Sequence, residues 1–189
     1  MDNAVNRGGS DMGKKSVKEN KNIYQEAREA ADLTRAKAAE VMDCVSESRI
    51  EKIESEKILP QPEDVVAMAA AYKVPSLTNH YCAKECPIGK STVQELKLGS
   101  LESIILELLS GINTVSRSRD RLIDITKDGR IDSYELPEFT KMQNELGSLS
   151  NTINSLNLWV NDMVAKGIIS KETIDLCQKA IKERQEVSL

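Results

Sequence analysis

The chain has 189 residues, enough for one medium domain or two small ones. Apolar residues make up 40% and aromatics only 3%, so packing must rest on aliphatic side chains and alanine, which suits helices better than strands. The formal net charge of -4 excludes a global basic excess, so any nucleic-acid contact would need positive charge concentrated locally.

The opening stretch MDNAVNRGGSDMGKKSVKEN has no apolar core segment and predicts no secretory signal. Residues 1–21 read as a flexible arm. The longest apolar run, VVAMAAAY at 65–72, is too short to span a bilayer. A cytoplasmic protein with no membrane association is therefore expected, its four cysteines being reduced thiols.

Five short helices are predicted between about 22 and 82. Within IYQEAREAADLTRAKAAEVMDCVSESRIEKIESEK, residues 23–57, Thr34 caps a helix that presents Ala38, Ala39 and Met42 on one face. Val45 is a turn residue pointing back to the core. Ser46 caps the next helix, whose apolar face is Ile50 and Ile53. Pro62 fits the first turn of a following helix, with Val65, Val66, Ala69 and Tyr72 facing inward. The arrangement is a helix-turn-helix pair inside a compact bundle.

The residues Leu33-Thr34, Ala39, Val45-Ser46, Ile50 and Ile53-Glu54, followed by the helix start at Pro60 to Asp64, resemble the Cro and phage-repressor-like (xenobiotic-response-element type) helix-turn-helix family over residues 23–80. The resemblance implies that the helix at 46–55 lies in the major groove of DNA. It implies that Ser46, Glu47, Ser48 and Arg49 face base edges, that Thr34 and Arg35 touch phosphate, and that Lys52 is next in reach. Three departures stand out: the turn Asp43-Cys44-Val45 is one residue longer than the family's Gly-Val turn, Glu56 stands where the family places glycine, and the reading helix SESRIEKIESEK carries Glu47, Glu51, Glu54 and Glu56 against Arg49, Lys52 and Lys57, with Glu47 pointing at the groove. The first 90 residues carry 14 Lys/Arg against 15 Asp/Glu. Binding would therefore depend on clustering of Arg28, Arg35, Lys37, Arg49, Lys52 and the arm residues Lys14, Lys15, Lys18 and Lys21.

Residues 83–99 form a connector broken by Pro and Gly. From Leu101 the pattern changes to long helices. Leu101, Ile105, Leu108, Ile112, Val115 and Leu122 alternate spacings of 4 and 3, with Arg119 the one polar entry. Phe139, Met142, Leu146, Leu149, Ile153, Leu156, Val160 and Met163 continue the same coiled-coil-like period. Two such helices joined by a short loop predict an antiparallel hairpin. A third helix, about 171–186, has Ser170 as its N-cap and offers Ile174, Cys177 and Ile181 to the same core.

Between the long helices lies DITKDGRIDSYE, residues 124–135. Asp124, Thr126, Asp128, Asp132 and Glu135 stand at the offsets of a calcium-binding EF-hand loop. The same residues serve a hairpin turn: Gly129 as a left-handed helix stop, Asp132 to Glu135 as a capping box, and Pro137 in the first turn of the next helix. EF-hands work in pairs and no second loop is present, so the turn is the reading adopted and no metal is expected.

His80, Cys82 and Cys86 lack a local fourth zinc ligand. No phosphate loop, nucleophile elbow or Cys–His nucleophile set is present, so neither an enzyme nor a cofactor is expected. The overall expectation is an all-α chain: a five-helix repressor-like helix-turn-helix domain (22–82), the connector, and a helical hairpin with a third C-terminal helix (100–189). The expected function is a DNA-binding transcriptional regulator acting on double-stranded DNA as a homodimer, with the C-terminal helices dimerising or holding a protein partner. The alternative is a protein–protein adaptor, such as a phage or mobile-element factor, that reuses the fold without DNA.

Overall fold

The computed structural model describes residues 21–186; the expected arm, apart from Lys21, lies outside them. The described residues form nine helices and no strand: α1 (Ile23–Ala30), α2 (Arg35–Met42), α3 (Glu47–Glu54), α4 (Pro62–Tyr72), α5 (Ser76–Lys84), α6 (Gly89–Thr92), α7 (Leu101–Thr126), α8 (Leu136–Ala165) and α9 (Lys171–Glu186). The chain divides after Tyr72 into two compact units.

In the first unit the helix starts are written in the sequence. Asn22, Thr34 and Ser46 each accept a backbone N–H three residues on with the side-chain oxygen, satisfying one of the orphan donors of α1, α2 and α3. Asn22 also donates from Nδ2 to the Ile53 carbonyl at 2.8 Å, tying the start of α1 to the end of α3. Tyr24, Ala27, Ala38, Met42, Val45, Ile50, Ile53, Val65, Met68, Ala69 and Tyr72 form the core. Val66, expected to face inward, is 62% exposed: Val65, Met68, Ala69 and Tyr72 already hold the i, i+3, i+4, i+7 face, and the next residue after Val65 turns 100° away.

Residues 21–72 contain no glycine, yet α1, α2, α3 and α4 are each followed by a left-handed residue: Asp32, Asp43, Glu56 and Lys73, with φ of 54, 58, 59 and 58°. After α1 and α3 the backbone closes a Schellman pattern, Leu33 N–H to the Arg28 carbonyl and Lys57 N–H to the Lys52 carbonyl. A side chain held at positive φ costs about 1–2 kcal/mol, so this unit stores strain at every helix end.

In the second unit α5 and α6 meet at Gly89. A Cβ there would stand 2.0 Å from the Cys82 carbonyl oxygen, so only glycine fits. α6 is a helical turn within a stretch expected to be irregular.

α7 and α8 form the expected hairpin. Ser118 Oγ lies 3.3 Å from Glu145 Oε2, Arg121 Nε 2.9 Å from Glu138 Oε2, and Gly111 faces Leu149; the partner's number falls as the first rises, so the pair is antiparallel. The seam differs from the expected one. It runs through Ile104, Leu108, Gly111, Val115, Ser118, Leu122 and Ile125 on α7 and through Met142, Glu145, Leu149, Thr152 and Leu156 on α8, all buried or half-buried. Ile112 and Arg119 are exposed on α7, as are Leu146 and Ile153 on α8. The apolar arc is wider than one seam, and the small residues Gly111 and Ser118 allow the closer approach that selects the inner stripe.

Ser170 caps α9 as expected, accepting from Thr173 N–H. The face it offers is not taken up, however. Cys177 and Ile181 are exposed and only Ile174 is partly covered, so α9 contributes nothing to the hairpin seam.

Between α7 and α8 the chain reverses within 124–135. Asp124 and Thr126 are still helical, at the end of α7, which removes two of the five calcium positions from any loop. Gly129 has φ of 74°. Glu135 Oε2 accepts the Asp132 N–H at 3.1 Å, which is one half of the expected capping box. The other half is not formed, because the Glu135 N–H goes to the Asp132 backbone carbonyl and α8 starts at Leu136 with no side-chain cap, Pro137 lying in its first turn. Among the described residues no group of three or more His, Cys, Asp and Glu is placed to hold a metal ion.

Candidate nucleic-acid interface

The α2–turn–α3 unit is locked from beneath. Ala38 and Met42 of α2, Val45 of the turn and Ile50 and Ile53 of α3 are all buried. This leaves Glu47, Ser48, Glu51 and Lys52 exposed along one side of α3, the spacing of a single helical face.

Beneath α3 sits a charged core. Glu54 is 2% exposed and Arg28 6%. Arg28 grips Glu54 with Nε on Oε1 and Nη2 on Oε2, and its Nη1 donates to the Leu33 carbonyl. Arg35 adds Nε to Glu54 Oε2 at 2.8 Å. One carboxylate thus holds α1, the start of α2 and α3 together. Burial works to lower the Arg28 pKa, but the hydrogen bond and charge of Glu54 outweigh it and raise it. Burial, followed by the Glu54 charge, pushes the Tyr72 phenol up; its hydroxyl is buried without a hydrogen-bond partner among the described residues.

Arg49 is held just as firmly. Its Nε lies 2.7 Å from Asp64 Oδ1 and its Nη2 2.6 Å from Oδ2, while Oδ2 also accepts the Gln61 N–H that precedes α4. Burial would raise the Asp64 pKa, but the Arg49 and Gln61 hydrogen bonds hold it below the usual carboxylate range. The Asp64 fork occupies one edge of the guanidinium. The opposite edge, with both Nη1 protons and one on Nη2, still has donors for a second planar acceptor.

The seven sequence-predicted residues therefore fall into three groups. Glu47, Ser48 and Lys52 are exposed on α3. Thr34 and Ser46 each accept one backbone N–H as caps and keep a hydroxyl proton to donate. Arg35 and Arg49 are half-exposed and already paired with acids. Sequence reasoning missed the Asp64 clamp; its one signal was an acid three residues after Gln61 at a helix start.

The first unit is acidic over its described residues. Residues 21–72 hold seven cations (Lys21, Arg28, Arg35, Lys37, Arg49, Lys52 and Lys57) against eleven Asp and Glu. Four of the seven are paired with carboxylates. Lys37, Lys52 and Lys57 are the cations in this stretch without an ion pair among the described residues.

This geometry agrees with the comparison with known families: residues 25–80 match a family described as a helix-turn-helix domain, which supports the Cro/repressor-like resemblance. Such domains point to DNA-binding regulators. Comparison with curated proteins gives no match, and neither does comparison with solved structures. Among the described residues no helix is long and apolar enough to cross a membrane.

Proposed function

We propose that residues 22–82 bind double-stranded DNA and that the protein regulates transcription by occupying an operator. The observation that carries this reading is the uncovered face of α3, capped at Ser46 and supported from below by α2, in a segment that matches a helix-turn-helix family. In this reading Ser48 and Arg49 meet base edges, Arg49 through the guanidinium edge that Asp64 leaves open. A bidentate contact of that kind selects guanine. Glu47 accepts from a cytosine amino group. The Thr34 and Ser46 hydroxyls, with Arg35 and Lys52, meet phosphate.

The experiment is selection of bound sequences from random duplex DNA at low salt, followed by affinity measurements on the winners against salt. A regulator enriches a defined site and shows a steep negative slope of log affinity on log salt. No enrichment and no low-salt affinity would overturn the reading.

A second reading has an observation of its own. The exposed α3 face has two carboxylates for one free lysine, and both nearby arginines are neutralised. That surface suits a basic protein partner, and the protein would then be an adaptor that keeps the fold and not the DNA.

A further inference from the structure

The α7–α8 hairpin has two very different flanks. Residues one position before the α7 seam are Ser103, Glu107, Ser110, Thr114, Arg117, Arg121 and Asp124, all polar. Their counterparts on α8 are Lys141, Asn144, Ser148, Asn151 and Ser155, again all polar. Residues one position after the seam include Ile105, Leu109, Ile112 and Ile123 on α7 and Leu146 and Ile153 on α8. Arg119 is the one charge in that set; the rest is Ser116, Thr126, Gln143, Ser150 and Asn157.

One position is 100° of helix turn. Both helices are right-handed and they run antiparallel, so the "after" flanks of both fall on the same side of the hairpin. The hairpin thus has one wholly polar side and one side on which aliphatic residues alternate with small and polar ones. The chain's own segment 93–96 engages the polar side, where Asn151 Nδ2 donates to Gln94 Oε1 at 2.5 Å. The apolar side is left open: Leu109 is 52% exposed, Ile112 47%, Ile123 58%, Leu146 42% and Ile153 44%.

We infer that this apolar flank is the self-association surface of the protein, covered by the same flank of a second copy to give a four-helix bundle of two α7 and two α8 helices. Size and charge both argue for a second copy. The 26 residues of α7 make a face about 39 Å long. Two helices spaced by about 9 Å make it nearly two helix widths broad, so it offers roughly 700 Å², close to the half-interface of a stable dimer. A two-fold pairing sets a surface against itself, which penalises any patch rich in one sign of charge; this flank carries a single arginine. Ser116 and Ser150 keep its centre low, so two copies can approach closely. The occupant is the aliphatic face of this same hairpin, neither α9 nor a foreign chain, and the inference stands whether or not the first unit binds DNA.

Sedimentation equilibrium of the full chain without DNA tests it. The native protein is expected to sediment as a dimer at micromolar concentration. Leu109→Glu combined with Ile153→Glu places carboxylates in the flank and should weaken dimerisation by at least about a hundredfold. Both side chains are half-exposed in a single chain, so helix content by circular dichroism should stay unchanged. Ser110→Glu combined with Ser148→Glu, on the polar flank, should leave the dimer intact. A native chain that is monomeric throughout would overturn the inference and hand the flank to α9 or to another protein. A dimer that survives the first pair of substitutions, or is broken equally by the second, would overturn it too.

Discussion

Arg49 and Asp64 are joined by a two-pronged ion pair across the start of α3 and the start of α4, with N–O distances of 2.7 and 2.6 Å. The pair fixes the one arginine of the α3 face in a single orientation. It also makes part of the fold's stability depend on an ionised carboxylate.

Asp64 therefore sets an acid limit on the first unit. Its folded pKa is depressed by Arg49 and Gln61 in spite of burial, so its contribution is complete above the unfolded value of about 4 and is lost as the pH falls below it. Asp64→Asn should lower the urea midpoint of this unit at neutral pH. The gap between native and variant should close as the pH is taken below about 4. A gap that does not depend on pH would show that the carboxylate charge is not what matters.

The buried charges at Glu54 are a larger risk to the fold. Glu54→Gln leaves Arg28 buried with its counter-charge gone, and removal of one partner from such a pair costs about 3–5 kcal/mol. Thermal unfolding should show the first unit largely unfolded. Arg28→Met together with Glu54→Leu should recover much of the loss, because a hydrophobic pair of similar volume needs no desolvated charge.

Glu56 can be improved. It occupies a left-handed position at φ 59° where glycine is free of the Cβ clash. Glu56→Gly should raise stability by about 1 kcal/mol even though it deletes a side chain. Chemical denaturation with an unchanged slope is the check; a loss of stability would mean that Glu56 makes a contact outweighing its strain.

The α3 face predicts opposite signs for neighbouring residues. Lys52→Ala should weaken DNA binding evenly across sequences and reduce the salt slope by about one phosphate contact. Glu47→Gln should raise non-specific affinity at low salt by removing an anion from the phosphate side, and relax preference at the base pair that Glu47 faces. Fluorescence anisotropy on matched and mismatched duplexes separates the two.

Local rules made much of this fold readable. Thr34, Ser46 and Ser170 act as caps, Pro62 and Pro137 as helix openers and Gly129 as a stop, each for reasons confined to a few neighbouring residues. Tertiary choices were harder to read. Leu101 through Ile125 contain two adjacent apolar stripes, and periodicity alone could not say that Gly111 and Ser118 would draw the inner one into the seam. The amphipathic pattern of α9 was legible, yet pattern does not show whether a partner exists, and Cys177 and Ile181 stay exposed. At the candidate interface, the positions of Arg35 and Arg49 were readable from spacing. Their capture by Glu54 and Asp64 was not, because those partners lie 19 and 15 residues away.

The proposed DNA contact runs through α3 and the clamped Arg49 of an acidic unit. The affinity of the full chain for its selected duplex across a salt series, with Arg49→Ala measured in parallel, tests it. Measurable binding at low salt is expected, with a steep loss as salt rises and a further loss for Arg49→Ala of about tenfold or more, concentrated at a single base pair. Absence of binding at the lowest salt, or equal affinity of Arg49→Ala for matched and mismatched sites, would contradict it.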